Sequence, residues 1–136
     1  MRKDLHNNTV GSVALAATIS SNTTTAGNII DTRGFEAIEF YIASGTLTDG
    51  AYAVLVEDGD ESNLSDAAAV ADDQLLGTEA NASFTDTDDN TVKRIGYVGG
   101  KRYVRLSLVS TSVSTGGSFT AIAVQGTAAN NPTAGA

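Results

Sequence analysis

The chain has no cysteine and no tryptophan, one histidine and one proline, Pro132. Without cysteine there is no disulfide framework, no thiolate metal site and no thiol nucleophile. The histidine, His6, lies in a polar N-terminal stretch without periodicity. A Ser-His-Asp relay needs an imidazole fixed by neighbours within hydrogen-bond reach, and that stretch supplies no such frame. With four Phe, four Tyr and no Trp, the aromatic platform of a sugar cleft has little to be built from. No apolar run approaches the roughly 20 residues that cross a bilayer as a helix. Arg2-Lys3 ahead of Val13-Ala14-Leu15-Ala16-Ala17 imitates a signal peptide. Asp4, His6, Asn7 and Asn8 intervene, however, and Thr18 and Ser20 break the apolar run, so an arm followed by a strand is expected.

Acid is missing from the last third of the chain. Residues 1–89 hold all sixteen acidic residues and three bases, a net −13; residues 90–136 hold five bases and no acid, +5. No charged side chain follows Arg105. The molecule is therefore electrically two-sided unless the fold mixes its halves. A net charge of −8 argues against nucleic-acid binding through phosphates.

Ala, Thr, Ser, Gly and Val are abundant, a composition suited to short strands joined by small-residue loops. At 136 residues one domain is expected. Period-two alternation predicts strands at Val13–Ile19, Ala37–Ala43, Ala51–Glu57 and Ser118–Gln125, with shorter ones at Asn28–Asp31 and Ser83–Thr85. Ile38, Phe40 and Ile42 share one face of the second; Tyr52, Val54 and Val56 share one face of the third. The stretch Asp58–Thr78 reads as a long loop carrying a short helix near Leu64–Val70, with Leu64, Ala68 and Ala71 on one face. Val92–Val98 and Arg102–Val109 read as a hairpin turning at Gly99-Gly100, since both glycines can take φ > 0. Val104, Leu106 and Leu108 fall on one side of its second strand. The expected fold is all-β, an antiparallel sandwich of jelly-roll type with extended terminal arms. Residues 1–12 form an N-terminal arm, 13–125 the sandwich and 126–136 a flexible tail.

Reactive chemistry finds little support. Gly100-Lys101 runs into Arg102 and a strand, which is not a phosphate loop. Asp86, Asp88, Asp89 and Asn90 are oxygen donors for a conceivable irregular calcium site. Counted from Asp86, though, an EF-hand would need Gly where Thr91 stands and Glu where Tyr97 stands; counting from Asp58 fails likewise. Solvated acidic loops are the alternative. Asn-x-Ser/Thr occurs at Asn7, Asn22 and Asn81, and without a secretion signal it implies no glycosylation. No enzyme activity and no cofactor are expected.

The run Ile95-Gly96-Tyr97-Val98-Gly99-Gly100-Lys101-Arg102-Tyr103-Val104-Arg105 resembles the capsid cement (decoration) proteins of tailed bacteriophages. Ile30-Asp31-Thr32-Arg33-Gly34-Phe35-Glu36 is a second, weaker echo. The resemblance implies a non-enzymatic virion protein, made in the bacterial host cytoplasm. It would bind the outer surface of the head, contact the major capsid protein and itself (as dimer or trimer), and touch neither membrane nor nucleic acid. Candidate interface residues are Tyr97, Lys101, Arg102, Tyr103, Arg105, Tyr41 and Tyr52. The tyrosines would act as anchors on outward-facing strand positions. The cations would either dock electrostatically or pair with the protein's own carboxylates. A carbohydrate- or receptor-binding jelly-roll module of a tail or fibre is the rival reading, as is a tail-tube or head-completion protein.

Overall fold

Val104, Leu106 and Leu108 are fully buried, and they define the inner face of the strand that runs through the middle of one sheet. The structure is a computed structural model and describes residues 5–128. Its strands are β1 (Val10–Ile19), β2 (Thr24–Ala26), β3 (Ile30–Asp31), β4 (Phe35–Ser44), β5 (Ala51–Gly59), β6 (Ala68–Ala69), β7 (Leu75–Leu76), β8 (Phe84–Thr85), β9 (Val92–Tyr97), β10 (Tyr103–Thr111) and β11 (Gly117–Ala128). A single-turn helix, α1 (Glu79–Ala82), precedes β8, and its first turn is capped by the Thr78 side chain accepting from the Asn81 N–H.

Two antiparallel sheets pack face to face. One runs β1-β11-β4-β9-β7; the other runs β2-β10-β5-β6, with β3 beside β10 and β8 beside β5. With β2 and β3 taken as one interrupted strand and β8 as the fifth, the chain alternates between sheets in the order of a jelly roll. The expected all-β sandwich is thus the observed one. Its core is filled by side chains placed by strict alternation: Ile38, Phe40 and Ile42 from β4, Tyr52, Val54 and Val56 from β5, and Phe119, Ala121 and Ala123 from β11. The Phe119 ring lies 4.7 Å from the Tyr52 ring and 5.2 Å from that of Phe84. The Tyr52 hydroxyl donates to the Asp49 carbonyl at 2.7 Å, so this buried polar tip is satisfied.

Several expectations are corrected. Val92–Val98 and Arg102–Val109 do not pair as a hairpin. β9 lies in one sheet against β4 and β7; β10 lies in the other against β5, β2 and β3. Alternation places apolar side chains on one face whether two strands are sheet neighbours or face each other across a core, so the pattern alone could not separate the two. Gly99 and Gly100 are not among the residues with positive φ; they occupy a crossing between sheets.

The helix expected at Leu64–Val70 is absent. Leu64 has φ 53°, and Ala68–Ala69 form the short strand β6. The Asp66 carboxylate accepts from the Asp60 and Glu61 N–H groups, and Asn63 Oδ1 from that of Ser65. Such local side-chain bonds compete with helix. In β1 the register slips between Val13 and Leu15. This bulge buries Ala14 and turns Val13 outward, where strict alternation had put it with Leu15. The sandwich also extends past its expected bounds, since β1 begins at Val10 and β11 runs to Ala128. Of the expected arm, His6–Asn8 form a 3-10 turn; residues 1–4 of the arm and 129–136 of the tail lie outside the described residues.

The split of charge along the chain disappears in the fold. The four ion pairs among the described residues are Lys93–Asp88, Lys101–Asp60, Arg102–Asp31 and Arg105–Glu57. Each joins a base of the last third to an acid of the first two-thirds.

Two outcomes follow from this packing. Phe119→Ala removes the ring on which Tyr52 and Phe84 meet, and is expected to cost about 3–5 kcal/mol in urea unfolding. Asp49 accepts from the Ser114 hydroxyl at 2.6 Å and from the Gly116 N–H at 2.9 Å, which holds its carboxyl down at about 2 from an ordinary 3.8. Its contribution is therefore complete above the unfolded value and disappears as pH falls through the folded one. Melting curves of Asp49→Asn should lie below those of the native chain above pH 4 and merge with them near pH 2.

Candidate functional site

The crossing from β9 to β10 is organised on the Tyr97 side chain. Tyr97 ends β9 on the same face as Ile95, so its ring enters the core and is 3% exposed. Its hydroxyl donates to Asp58 Oδ2 at 2.6 Å and accepts from the Lys101 N–H at 3.1 Å. Burial, and then the Asp58 carboxylate, push this phenol well above its ordinary range. Asp58 sits in β5, in the opposite sheet, and is itself buried. One hydrogen bond therefore joins the two sheets where the chain passes between them.

Gly99 lies directly over the tyrosine. A Cβ there would fall 2.5 Å from the Tyr97 Oη and 2.6 Å from ring carbons, so close approach, rather than a turn conformation, calls for glycine. Around Gly100 there is nothing within 4 Å of a Cβ position; that position opens onto space.

The next residues are tied down by charge. Arg102 Nε and Nη2 each reach an Asp31 carboxylate oxygen at 2.9 Å, a bidentate pair, and the guanidinium lies 5.0 Å from the Tyr103 ring. This bond holds Asp31 below the usual carboxylate range. Asp31 is placed by β3 pairing with Tyr103 and Val104, and its carbonyl accepts from Gln125 Nε2 at 3.0 Å. Lys101 Nζ reaches Asp60 at 2.8 Å, and Arg105 reaches Glu57, its cross-strand neighbour, at 3.0 Å. Lys101, Arg102 and Arg105 are thus committed to the protein's own carboxylates. The first two pairs are solvent-exposed and Arg105–Glu57 is partly buried; exposed pairs of this kind stabilise little, and their effect is to fix geometry.

The result is a cleft of about 380 Å³ at one end of the sandwich. Thr32, Phe35, Glu36 and Ile38 form one wall; Tyr97 and the segment Gly99-Gly100-Lys101-Arg102 form the other. Sequence reasoning missed the cleft because its walls lie at least 59 positions apart along the chain. The available signal was that every wall residue except Ile38 belongs to one of the two segments singled out above for their resemblance.

The other expected residues fall elsewhere. Tyr52 and Tyr97 are corrected from surface anchors to core residues. Both share their inward parity with flanking apolar residues, Val54 and Ile95. Tyr41 is 38% exposed on the outer face of β4, and Tyr103 is half-buried beside Arg102. In the acidic turn, Asp88 accepts from the Thr85 N–H and from Lys93 Nζ, and Asp89 from the Leu47 N–H. One oxygen of each, Asp88 Oδ2 and Asp89 Oδ1, is engaged in shaping the loop, and among the described residues no three acidic or histidine side chains converge as metal ligands. His6 is exposed in a 3-10 turn, His6–Asn8.

The fold has a solved counterpart. The chain superposes on the crystal structure of the SPBc2 prophage-derived protein YomS with a TM-score of 0.51, over 87% of this chain and 92% of that one, at 18% identity. At that identity the likeness is one of fold. No protein-family model and no curated protein sequence matches the chain.

Tyr97→Phe keeps the ring and leaves Asp58 Oδ2 buried without its donor. The expected cost is about 1–3 kcal/mol in urea unfolding, and most of it should vanish on an Asp58→Ala background, which removes the acceptor, read as a double-mutant cycle.

Proposed function

We propose that the protein is a capsid cement protein, a non-enzymatic virion component that binds the outer surface of a tailed-phage head and bridges neighbouring subunits of the major capsid protein. One observation carries this reading. The two segments that resemble the cement family, Ile30–Glu36 and Ile95–Arg105, are far apart in sequence yet join as the two walls of one cleft. They are held together by the β3–β10 pairing, the Arg102–Asp31 fork and the Thr32 N–H donating to the Arg102 carbonyl at 2.8 Å. Likeness of fold to a prophage-derived protein supports the same reading.

The physical logic is preorganisation. The cleft walls are ordered in the free protein by a buried hydrogen bond and a bidentate ion pair, so little ordering entropy is lost on binding. An open cleft lined by Phe35, Ile38 and Tyr97, with Glu36 and Arg102 at hand, suits an extended segment of a partner, whose apolar side chains it would cover while its backbone bonds to polar rim groups. A modest energy per copy becomes large when repeated over a symmetric shell.

Purified protein should co-sediment with expanded, undecorated capsids of the phage that encodes it, saturably and at a fixed ratio to capsid subunits. Gly100→Trp should fill the cleft without disturbing the fold, because the space around Gly100 is open and its φ is not positive. It is expected to weaken binding at least about tenfold, as loss of a central anchor site does. Failure of the native protein to bind capsids would overturn the cement reading, and undiminished binding by Gly100→Trp would remove the cleft from it.

A further inference from the structure

The five-stranded sheet has an outer face unlike that of its partner. Register fixes its outward residues in a grid. Val13 stands opposite Ile122, Ile122 opposite Tyr41, and Tyr41 opposite Arg94. Val13, Ile122 and Tyr41 are 50, 44 and 38% exposed. Across the outward positions of β1, β11, β4 and β9, the charged residues are Glu39 and Arg94 alone. On the other sheet, neither β5 nor β10 carries a large exposed apolar side chain.

The two charges indicate what covers this face. Arg94 is exposed and belongs to none of the four ion pairs of the described residues. Glu39 Oε2 is buried and has no hydrogen-bond partner. The two are diagonal neighbours, since Glu39 stands opposite Gly96 and Arg94 opposite Tyr41. Each therefore lacks a contact partner of opposite sign while sitting on the same apolar surface. A second copy of the same surface supplies both partners at once, because a two-fold contact makes every missing pair reciprocal.

We propose that the outer face of the five-stranded sheet is a two-fold self-association surface, with Ile122 and Tyr41 packing on their own counterparts and Arg94 of each copy meeting Glu39 of the other. One axis satisfies all of these contacts. Drawn in the plane of the face midway between Glu39 and Arg94, it runs diagonally past Tyr41 to Ile122, so that the strands of the two copies cross. Burial already pushes the Glu39 carboxyl up against the opposing pull of Arg94, and a guanidinium from above would stabilise its charged form. With the strands crossing, the copies overlap over a patch about four strands wide in each direction, at about 4.8 Å per strand, or roughly 400 Å². A pair then buries on the order of 800 Å², the size of a weak, concentration-dependent interface.

The test is sedimentation equilibrium of the full-length protein in the absence of capsids. The native chain should form a dimer as its concentration rises. Ile122→Glu and Arg94→Glu, both at exposed positions, should each raise its dissociation constant at least about tenfold while leaving the circular dichroism unchanged. The double variant Arg94→Glu/Glu39→Arg restores the charge pairing with signs exchanged and should recover most of the dimer. A native monomer, or a dimer indifferent to both single changes, overturns the inference. So does a native monomer whose capsid binding is lost in Ile122→Glu, since that outcome gives the face to the shell. Gly100→Trp should dimerise like the native chain, so failure of the cement reading and failure of this one are read from separate experiments.

Discussion

The hydrogen bond from Tyr97 to Asp58 is the constraint on which the cleft end depends. It spans the core between sheets, it is short, and both partners are buried, so either one left alone would keep an unpaired polar group out of water. The same hydroxyl accepts the Lys101 N–H, and the same ring dictates glycine at Gly99. One side chain thereby sets where the chain leaves one sheet, how closely it bends and where it joins the other. Lys101 and Arg102 follow at fixed positions, and their ion pairs with Asp60 and Asp31 are consequences of that placement more than causes of it.

Much of the architecture was legible in the alternation of side chains. Ile38, Phe40 and Ile42, then Val104, Leu106 and Leu108, then Phe119, Ala121 and Ala123 announce inward faces, and all are buried. What alternation does not encode is which strand lies beside which. Pairing across a turn and facing across a core leave the same pattern, and a jelly roll uses the second arrangement at Val98–Arg102. Two of the four Tyr residues assigned to the surface illustrate a related point. Tyr52 and Tyr97 share parity with apolar neighbours, and parity proved a better guide than the polar hydroxyl, which in each case found a partner inside. The bulge at Ala14 was invisible because Val13, Ala14 and Leu15 are all apolar and either phase reads as a strand.

Charge patterning misled in the opposite direction. Along the chain, acids come first and bases last. In space, β10 is flanked by β5 and β3, which carry Glu57 and Asp31, and the loop after β5 carries Asp60. Interleaving early and late strands is what a jelly roll does, so a sequence divided by sign becomes a surface of local pairs. Arg94 escapes this pairing because it projects from the outer face of β9, where the neighbouring strand offers Tyr41 and Gly96 lies opposite Glu39.

The pairing of β1 with β11 has a further result. Val10 lies opposite Gln125, and Ala128 opposite Phe35, a residue of the cleft wall. The polypeptide therefore enters and leaves the sandwich at adjacent points on one edge, beside the cleft. A circularly permuted chain could join those points with a short linker and reopen at a distant loop with every strand pairing intact.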